Sequence, residues 1–167
     1  MFDIREPKPA DGPAVTALIR GCPPLDENSR YCHLLQCGHF ADTSALALSI
    51  AVNGCLAGWV SGYRLPRKPN VLFVWQVAVA SRFRGQRLGQ RLILHILSRP
   101  RNSGVDTIHT SVTLANRASA RMFRHLADEL CAPLEERVLF DRHTHLAGDQ
   151  DSEFLLTIGP FASAPTQ

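Results

Sequence analysis

The sequence predicts one α/β domain of the mixed α+β type, in which helices flank a mixed central sheet. Its 167 residues fall within the size of a single domain that closes an apolar core. Apolar residues recur at strand spacing in some segments and at helical spacing in others, in the order β, α, α, three strands, α, β, α and two strands. Because hairpin-linked strands and helical crossovers both occur, antiparallel and parallel strand pairs are expected together.

Periodicity and turn residues set the expected element boundaries. The dipeptide Asn53-Gly54 favours two positive φ angles, so it predicts a tight hairpin turn. Residues 71–79 are apolar on both faces, which predicts a central strand. The expected strands are 2–5, 45–52, 55–64, 71–79, 105–113, 137–140 and 153–158, with a loop at 65–70; the expected helices are 10–22, 30–40 (opened by Asn28 or Ser29 as N-cap), 85–98 and 116–129. We therefore predict one domain over residues 1–161 and a disordered tail over 162–167.

Composition narrows the expected location and partners. The formal net charge is +3 and 45% of the residues are hydrophobic, which is ordinary for a soluble globular protein. No apolar run approaches the roughly 20 residues that cross a bilayer, and the N-terminus lacks the basic and apolar regions of a signal peptide. A cytoplasmic protein without a membrane partner is expected. The five cysteines are scattered without C-x-x-C spacing, which favours reduced, incidental thiols over catalytic or metal-binding ones.

Six arginines are concentrated between residues 82 and 101. Such a cluster suits a phosphate-bearing cofactor, nucleic acid, or solubility alone. The mild net charge makes nucleic acid the weakest of these readings, and we expect no nucleic-acid partner. The arginines are Arg82, Arg84, Arg87, Arg91, Arg99 and Arg101.

The most informative segment, residues 77–90, runs from a buried strand through a glycine-containing turn into a helix. The free amides and the positive dipole end of such a helix form an anion site. Gly85 and Gly89 would let a pyrophosphate approach the backbone closely. The lysine and the Ser/Thr of a P-loop are missing, and the spacing does not match G-x-G-x-x-G. An ordinary strand-turn-helix with exposed arginines is the alternative interpretation.

This segment resembles the pyrophosphate loop of the GNAT acetyltransferases, Gln/Arg-x-x-Gly-x-Gly/Ala after the fourth strand. Arg84 takes its first place and Gly89 its last, whereas Arg87 stands where the family usually has glycine. A second motif is similar too, because Asn116 opens a helix along the cofactor in that family. Phe123 occupies the place of a tyrosine that often protonates the departing thiolate. The resemblance therefore leaves the general acid unassigned.

The GNAT resemblance implies a mostly antiparallel sheet of the acyl-CoA N-acyltransferase fold, with acetyl-CoA as acetyl donor and no metal. In the family the strand before the loop splays from its neighbour, and freed amides hold the thioester oxygen. Carried onto this chain, those amides belong to Val77 and Val79, so Val79 is a catalytic candidate. The implied cofactor residues are Val77, Ala78, Val79, Arg84, Gly85, Gln86, Arg87, Leu88, Gly89, Gln90 and Asn116.

Residues 25–31, 58–64, 72–77 and 111–113 narrow the resemblance to the diaminobutyrate acetyltransferases of ectoine biosynthesis, a route to osmoprotection. That resemblance implies acetyl transfer to the γ-amine of L-2,4-diaminobutyrate by direct attack in a ternary complex. It implies a small diamino acid as acceptor and favours a homodimer. No cysteine has a neighbouring histidine in a nucleophile arrangement, which argues against an acetyl-cysteine intermediate.

Diaminobutyrate carries two ammonium groups and one carboxylate, so its pocket needs acids, a carboxylate anchor and apolar walls. Asp26, in the loop before the second helix, and Glu153, at the start of the last strand, are the expected acids. Glu153 is the first candidate for the base and Asp26 the second. The expected pocket walls are Tyr31 and Trp75, and the expected carboxylate anchor is Arg64 or His33.

Structural roles remain open for the same residues. Asp26 can cap a turn, Glu153 can be a solvated strand end, and Trp75 can be a core residue. His143 and His145 suggest a metal site, but a surface loop is the favoured interpretation. The rival functions are a GNAT enzyme for another amine, such as a polyamine, an aminoglycoside or a protein N-terminus, and a non-catalytic acetyl-CoA sensor.

Overall fold

A computed structural model, which describes residues 1–162, contains one seven-stranded mixed sheet. The strand order is β1-β2-β3-β4-β5-β7-β6. Within these residues β4 and β5 pair in parallel, whereas the other neighbouring strands pair antiparallel, as the sequence predicted. The strands are β1 (Phe2–Arg5), β2 (Ala45–Ser49), β3 (Cys55–Leu65), β4 (Lys68–Val79), β5 (Thr107–Thr113), β6 (Leu134–Phe140) and β7 (Glu153–Ile158).

Four α-helices cover the two faces of the sheet. They are α1 (Gly12–Arg20), α2 (Arg30–Gly38), α3 (Leu88–Leu97) and α4 (Arg117–Glu129). Apolar residues of α3 and α4 pack with Leu72, Val74 and Ile108 in the larger core cluster. Residues of α1 and α2 pack with Leu46 and Trp59 in a smaller cluster. Two helices therefore lie on each side of the strands, as the predicted flanking arrangement requires.

Both hairpins differ in detail from their prediction. Asn53 and Gly54 have the expected positive φ angles, +43° and +69°. However, β2 ends at Ser49, because residues 50–52 form a 3₁₀ turn instead of extending the strand. Strand β4 begins at Lys68, within the predicted loop, since its ladder with β3 continues to the Leu65–Lys68 pair. A connection of two residues then replaces the expected loop of six.

Strand β4 is central, as predicted, and carries two irregularities that shape the site. Its parallel register with β5 ends at the Val74–Thr110 pair, although β4 continues to Val79 and β5 to Thr113. A bulge opposite Ser61 and Gly62 of β3 leaves Trp75 as the extra residue. The bulge shifts the alternation of side chains, and the loss of pairing separates the two strand ends.

The ends of the described chain add two findings. The predicted disordered tail, 162–167, lies outside the described residues except for Ala162. Among residues 1–162, no helix combines the length and the apolar character that a membrane span requires.

A bidentate ion pair fixes the junction between β1 and α1. The Arg5 guanidinium donates to both carboxylate oxygens of Asp11, at 2.9 and 2.8 Å. The Lys8 amide donates a third hydrogen bond to the same carboxylate, at 2.7 Å. The hydrogen bond from Arg5 and, to a smaller degree, the Lys8 amide hold the pKa of Asp11 below its ordinary value, against its partial burial.

Asp11→Asn should destabilise the protein by about 1 kcal/mol near pH 7, because it replaces a charge-assisted pair with a neutral one. The folded-state pKa of Asp11 is lowered, so its contribution is fully present above the unfolded pKa and disappears as the pH falls through the folded pKa. Urea unfolding of both proteins between neutral and acidic pH should therefore converge at low pH. Asp128→Asn, at an exposed carboxylate 3.9 Å from His125, serves as the control and should change little. An Asp11→Asn difference that stayed constant with pH would contradict the assignment.

Candidate active site

A cavity of about 310 Å³ lies where β4 separates from β5. Nine of the eleven predicted cofactor residues line it: Val77, Ala78, Val79, Arg84, Gly85, Arg87, Leu88, Gly89 and Asn116. Gln86 and Gln90 do not appear in its lining, and Gln90 is buried within α3. The segment that the sequence singled out therefore forms one wall of a real cavity.

The peptide groups at the end of β4 point in alternating directions. The Ala80 amide donates to the Ala57 carbonyl of β3 at 3.0 Å, so the even-numbered amides face β3. The amides of Val77 and Val79 then face the opposite side, which β5 has left. The Val79 carbonyl faces that side too, since it accepts from Arg84 Nε at 3.2 Å and from the Cys22 thiol at 3.5 Å. Two amide donors are therefore directed into the cavity.

The turn before α3 presents backbone to the cavity with little side-chain cover. Gly85 has a φ of +78°, and a Cβ atom at this position would meet no atom within 4 Å. Arg87 has a φ of +54° and immediately precedes α3. It therefore keeps the left-handed backbone that glycine adopts most easily, so its departure from the family pattern leaves the loop geometry intact. The N-terminal amides of α3 open onto this space.

Gly89 is explained by close packing as well as by access to a ligand. A Cβ atom there would lie 2.6 Å from Met122 Sδ and 3.0 Å from Val77 Cγ1. Helix α3 thus approaches α4 and β4 so closely that a side chain at this position would push both neighbours toward the cavity. The absence of a side chain at Gly89 therefore allows this close approach of α3 to α4 and β4.

The second predicted motif contributes a cap and a core residue. The Asn116 side chain accepts a hydrogen bond from the Ser119 amide at 3.2 Å, so Asn116 caps α4 while lining the cavity. Phe123 is buried in the core cluster with α3 and is absent from the cavity lining. Its ring is therefore a packing element.

The wall opposite α3 was not anticipated from the sequence. It consists of Cys22, Pro23, Pro24 and Leu25, which follow α1. The pair Pro23-Pro24, directly after the first predicted helix, is the sequence signal that could have indicated this wall. Further lining residues that the sequence analysis missed are Phe83, Ala118, Ser119 and Met122.

Asp26 and Trp75 of the predicted acceptor site do not line this cavity: Asp26 directly follows Leu25 of the wall, and Trp75 lines a separate pocket with Tyr63. The backbone carbonyl of Asp26 accepts a hydrogen bond from Gln76 Nε2 at 2.7 Å, which brings Asp26 beside the strand that carries Trp75. Trp75 is 43% exposed and packs edge-on against Tyr63. Tyr31 lies in the first turn of α2 and is 70% exposed, so its ring is available to a ligand.

Glu153 faces the same side of the sheet as Trp75. Phe73, which packs against Tyr63 as Trp75 does, pairs with His109 of β5. Thr113 lies four residues further along β5 on the same face, and it pairs with Glu153 of β7. The half-buried Glu153 therefore borders the opening between the two strand ends from the β7 side.

The two predicted carboxylate anchors are not in this region. Arg64 lies near the β3–β4 turn, and its guanidinium donates to the carbonyls of Pro69 and Arg101 at 2.6 and 3.2 Å. His33 is fully buried, and its Nδ1 is hydrogen-bonded to Thr16 Oγ1 at 2.8 Å. Burial, together with the charge of Arg20, lowers the pKa of His33, which favours the neutral ring. Both side chains have structural roles in this fold.

The remaining histidines and cysteines form no recognised site. His143 and His145 belong to a surface turn, in which the Asp141 carboxylate accepts from the His143 and Thr144 amides at 2.9 and 3.0 Å. No cluster of three potential metal-ligating side chains occurs among residues 1–162. The five cysteines are free, and burial raises the pKa of Cys37 to about 12. Only Cys22, within the described part of the chain, reaches the cavity wall.

Comparison with known proteins agrees with this geometry. The acetyltransferase (GNAT) family matches residues 13–127. The chain is 43% identical over 161 residues to the L-2,4-diaminobutyric acid acetyltransferase of Methylotuvimicrobium alcaliphilum, covering 96% of this chain and 92% of that protein. It is 46% identical over 164 residues to the enzyme of the same name from Bordetella parapertussis, covering 98% and 87%.

Solved structures give the same result. The diaminobutyrate acetyltransferase EctA from Paenibacillus lautus, in complex with its substrate L-2,4-diaminobutyric acid and coenzyme A, superposes with a TM-score of 0.90 at 35% identity and covers 99% of both chains. The ribosomal-protein-S18-alanine N-acetyltransferase from Escherichia coli shares the fold, with a TM-score of 0.73 at 15% identity.

The chain therefore belongs to the GNAT family of acetyltransferases. Membership in this family accounts for three features of the fold: helix α3, the cavity, and the separated ends of β4 and β5. Within the family it belongs to the L-2,4-diaminobutyric acid acetyltransferases.

Arg87→Gly and Arg87→Ala should separate backbone conformation from charge at the α3 N-terminus. Both variants remove the guanidinium, so both should weaken acetyl-CoA binding by about tenfold at low salt. Only glycine relaxes the left-handed backbone, so Arg87→Gly should be more stable than Arg87→Ala by about 1 kcal/mol. Calorimetric titration and thermal unfolding of the two variants would measure these differences. Equal stabilities would show that the +54° φ carries no cost.

Proposed function

We propose that this protein transfers the acetyl group of acetyl-CoA to the γ-amine of L-2,4-diaminobutyrate, as a step of ectoine biosynthesis. The observation that carries the proposal is the cavity at the separated ends of β4 and β5, which lies between the α3 N-terminus and the loop that contains Asp26. The identity of 43% and 46% to two diaminobutyrate acetyltransferases supports the substrate. So does the relative from P. lautus, which was solved with that substrate and coenzyme A.

The cofactor half of the proposed site is built from backbone groups. The pyrophosphate of acetyl-CoA lies against the free amides of the α3 N-terminus, with Arg84 and Arg87 supplying positive charge. The amides of Val77 and Val79 hold the thioester oxygen as negative charge develops on it in the transition state. Because these donors are part of a strand, they are already oriented before the reaction begins.

The acceptor half supplies acids for the two ammonium groups of the substrate. In this proposal Asp26 reaches the substrate from the loop after α1 and Glu153 reaches it from β7. The exposed rings of Tyr31 and Trp75 would wall the short methylene chain, which suits their aromatic surface. In this arrangement Arg64 and His33 take no part in binding the carboxylate.

The amine must lose a proton before it can attack, since an alkylammonium has a pKa of roughly 10. Glu153 accepts this proton directly or through water, and the neutral γ-amine then attacks the acetyl carbonyl. Collapse of the tetrahedral intermediate breaks the C–S bond and releases coenzyme A, and the attacking nitrogen loses its second proton to water. Phe123 donates no proton, so the sulfur leaves as a thiolate or takes its proton from water. The transfer is direct and requires neither a metal nor an acetyl-cysteine.

We also propose a homodimer, which the resemblance to the family favours, and a cytoplasmic location with neither nucleic acid nor a membrane as a partner, which the composition favours. Light scattering of the purified protein would test the dimer.

Coenzyme A release by purified protein with acetyl-CoA and 2,4-diaminobutyrate is the direct test, with the product assigned by NMR. We expect the γ-acetyl product and no acetylated protein by mass spectrometry after incubation with acetyl-CoA alone. Turnover with a polyamine or a peptide N-terminus but not with diaminobutyrate would point to another acceptor. Binding of acetyl-CoA without turnover on any amine would indicate a sensor.

Glu153→Gln should lower kcat by about 100-fold, because a positioned general base typically contributes at least that factor. The defect should shrink at alkaline pH, where more of the substrate amine is already neutral. Steady-state kinetics across the pH range would measure it, with Glu129→Gln, at the exposed end of α4, as the control. An enzyme with Glu153→Gln and wild-type kcat throughout that range would eliminate Glu153 and leave Asp26 as the remaining candidate.

A further inference from the structure

Gln76 connects the loop that carries Asp26 to the strand that carries the cavity amides. Its side chain is only 5% exposed, and its Nε2 donates to the Asp26 carbonyl at 2.7 Å. We propose that Gln76 is a positioning residue for the acceptor: it holds loop 23–29 in the place where Asp26 meets the diamino acid. This inference rests on the proposed function. It names Gln76 as the residue on which the geometry of the acceptor half of the proposed site depends.

The bulge at Trp75 is what brings Gln76 to the loop. Val74 and Val77 both pack into the core cluster with α3 and α4, although three positions separate them. In a regular strand two residues at an odd spacing would face opposite sides. The extra residue at Trp75 shifts the alternation, so Gln76 shares a face with Ala78, which packs with α1. Without the bulge, the amide of Gln76 would face the α3 side.

The hydrogen bond joins two walls of the cavity. Leu25, next to Asp26, and Val77, next to Gln76, both line the cavity. The loop also makes an ion pair between Glu27 and Arg20 at 3.4 Å, but both side chains are more than 60% exposed. Such an exposed pair is screened by solvent and fixes a position poorly. The buried bond from Gln76 therefore acts together with the packing of Leu25 against the cluster that contains Ala78 to hold the loop beside β4.

The second polar atom of the Gln76 side chain makes it possible to distinguish the positioning role from a contribution to the stability of the fold. Gln76 Oε1 is buried and has no hydrogen-bond partner within the described chain. Replacing Gln76 with methionine removes one hydrogen bond but also one unsatisfied acceptor. The two effects oppose each other in the stability of the fold, whereas only the first acts on the loop. A change in acceptor binding with little change in melting temperature is therefore the expected signature.

The test compares Gln76→Met and Gln76→Glu with Asn102→Leu as the matched control. The Asn102 side chain is also a buried amide whose Nδ2 donates to backbone carbonyls, those of Asp42 and Ile96, at 2.9 Å, and whose Oδ1 has no hydrogen-bond partner within the described chain, but it does not reach the loop. We expect Gln76→Met to raise KM for diaminobutyrate about tenfold and to lower kcat, while Kd for acetyl-CoA stays within about twofold. Asn102→Leu should lower the melting temperature and leave KM unchanged.

Gln76→Glu supplies a signature that depends on pH. An ionised carboxylate cannot donate to the Asp26 carbonyl and repels it, so the KM defect should exceed that of Gln76→Met at pH values high enough to ionise this buried carboxyl group. A protonated carboxyl group can donate, so the ratio of variant to wild-type KM should narrow as the pH falls. Gln76→Met offers no such recovery, and its ratio should stay constant.

Hydrogen–deuterium exchange tests the role of Gln76 independently of the proposed function. Amides of loop 23–29 should exchange faster in Gln76→Met than in wild type or Asn102→Leu, whichever acceptor the enzyme uses. If the wild-type protein acetylates no diaminobutyrate, the proposed function fails and the exchange experiment still decides the role of Gln76. Unchanged exchange in the loop, or unchanged KM in an active Gln76→Met enzyme, would overturn the inference.

Discussion

Strand β4 leaves β5 after the Val74–Thr110 pair, and the rest of the site depends on this separation. Parallel strands normally satisfy each other's peptide groups along their whole length, and a buried peptide group without a partner is costly. The end of β4 therefore presents amides that a ligand can satisfy, with α3 and α4 on one side and the loop after α1 on the other. The cavity is the space that this loss of pairing creates.

Much of the fold was predictable because local chemistry determines it. The doubly apolar segment 71–79 became the central strand, and the caps at Ser29 and Asn116 accept hydrogen bonds from the amides three residues later. The glycine-containing turn before α3 was predicted to hold an anion, and most of its residues line the cavity. Each of these features follows from a few neighbouring residues, so sequence periodicity and turn chemistry were sufficient to find them.

The features that the sequence did not predict depend on contacts between distant segments. One extra residue at Trp75 decides which face Gln76 takes, and periodicity over a short strand does not detect such a shift. The wall after α1 exists because Cys22 and Leu25 pack beside the end of β4, more than fifty residues away in the chain. Arg64 was a chemically sensible carboxylate anchor, but the strand places it at the far end of the sheet.

The sheet has the loop that faces the acceptor on one side and the close packing around Gly89 on the other. Amino-acid substitutions on the two sides therefore affect different parts of the site. Substitutions in the loop after α1 alter the face toward the acceptor, whereas the packing of Gly89 against Met122 and Val77 lies on the other side of β4. A lineage could therefore acquire a new acceptor through changes in one short loop while the donor half stays constant. A methyl group at Gly89 would require the flexible Met122 side chain and Val77 to shift, so a substitution at this position carries a packing cost on the donor side of the sheet.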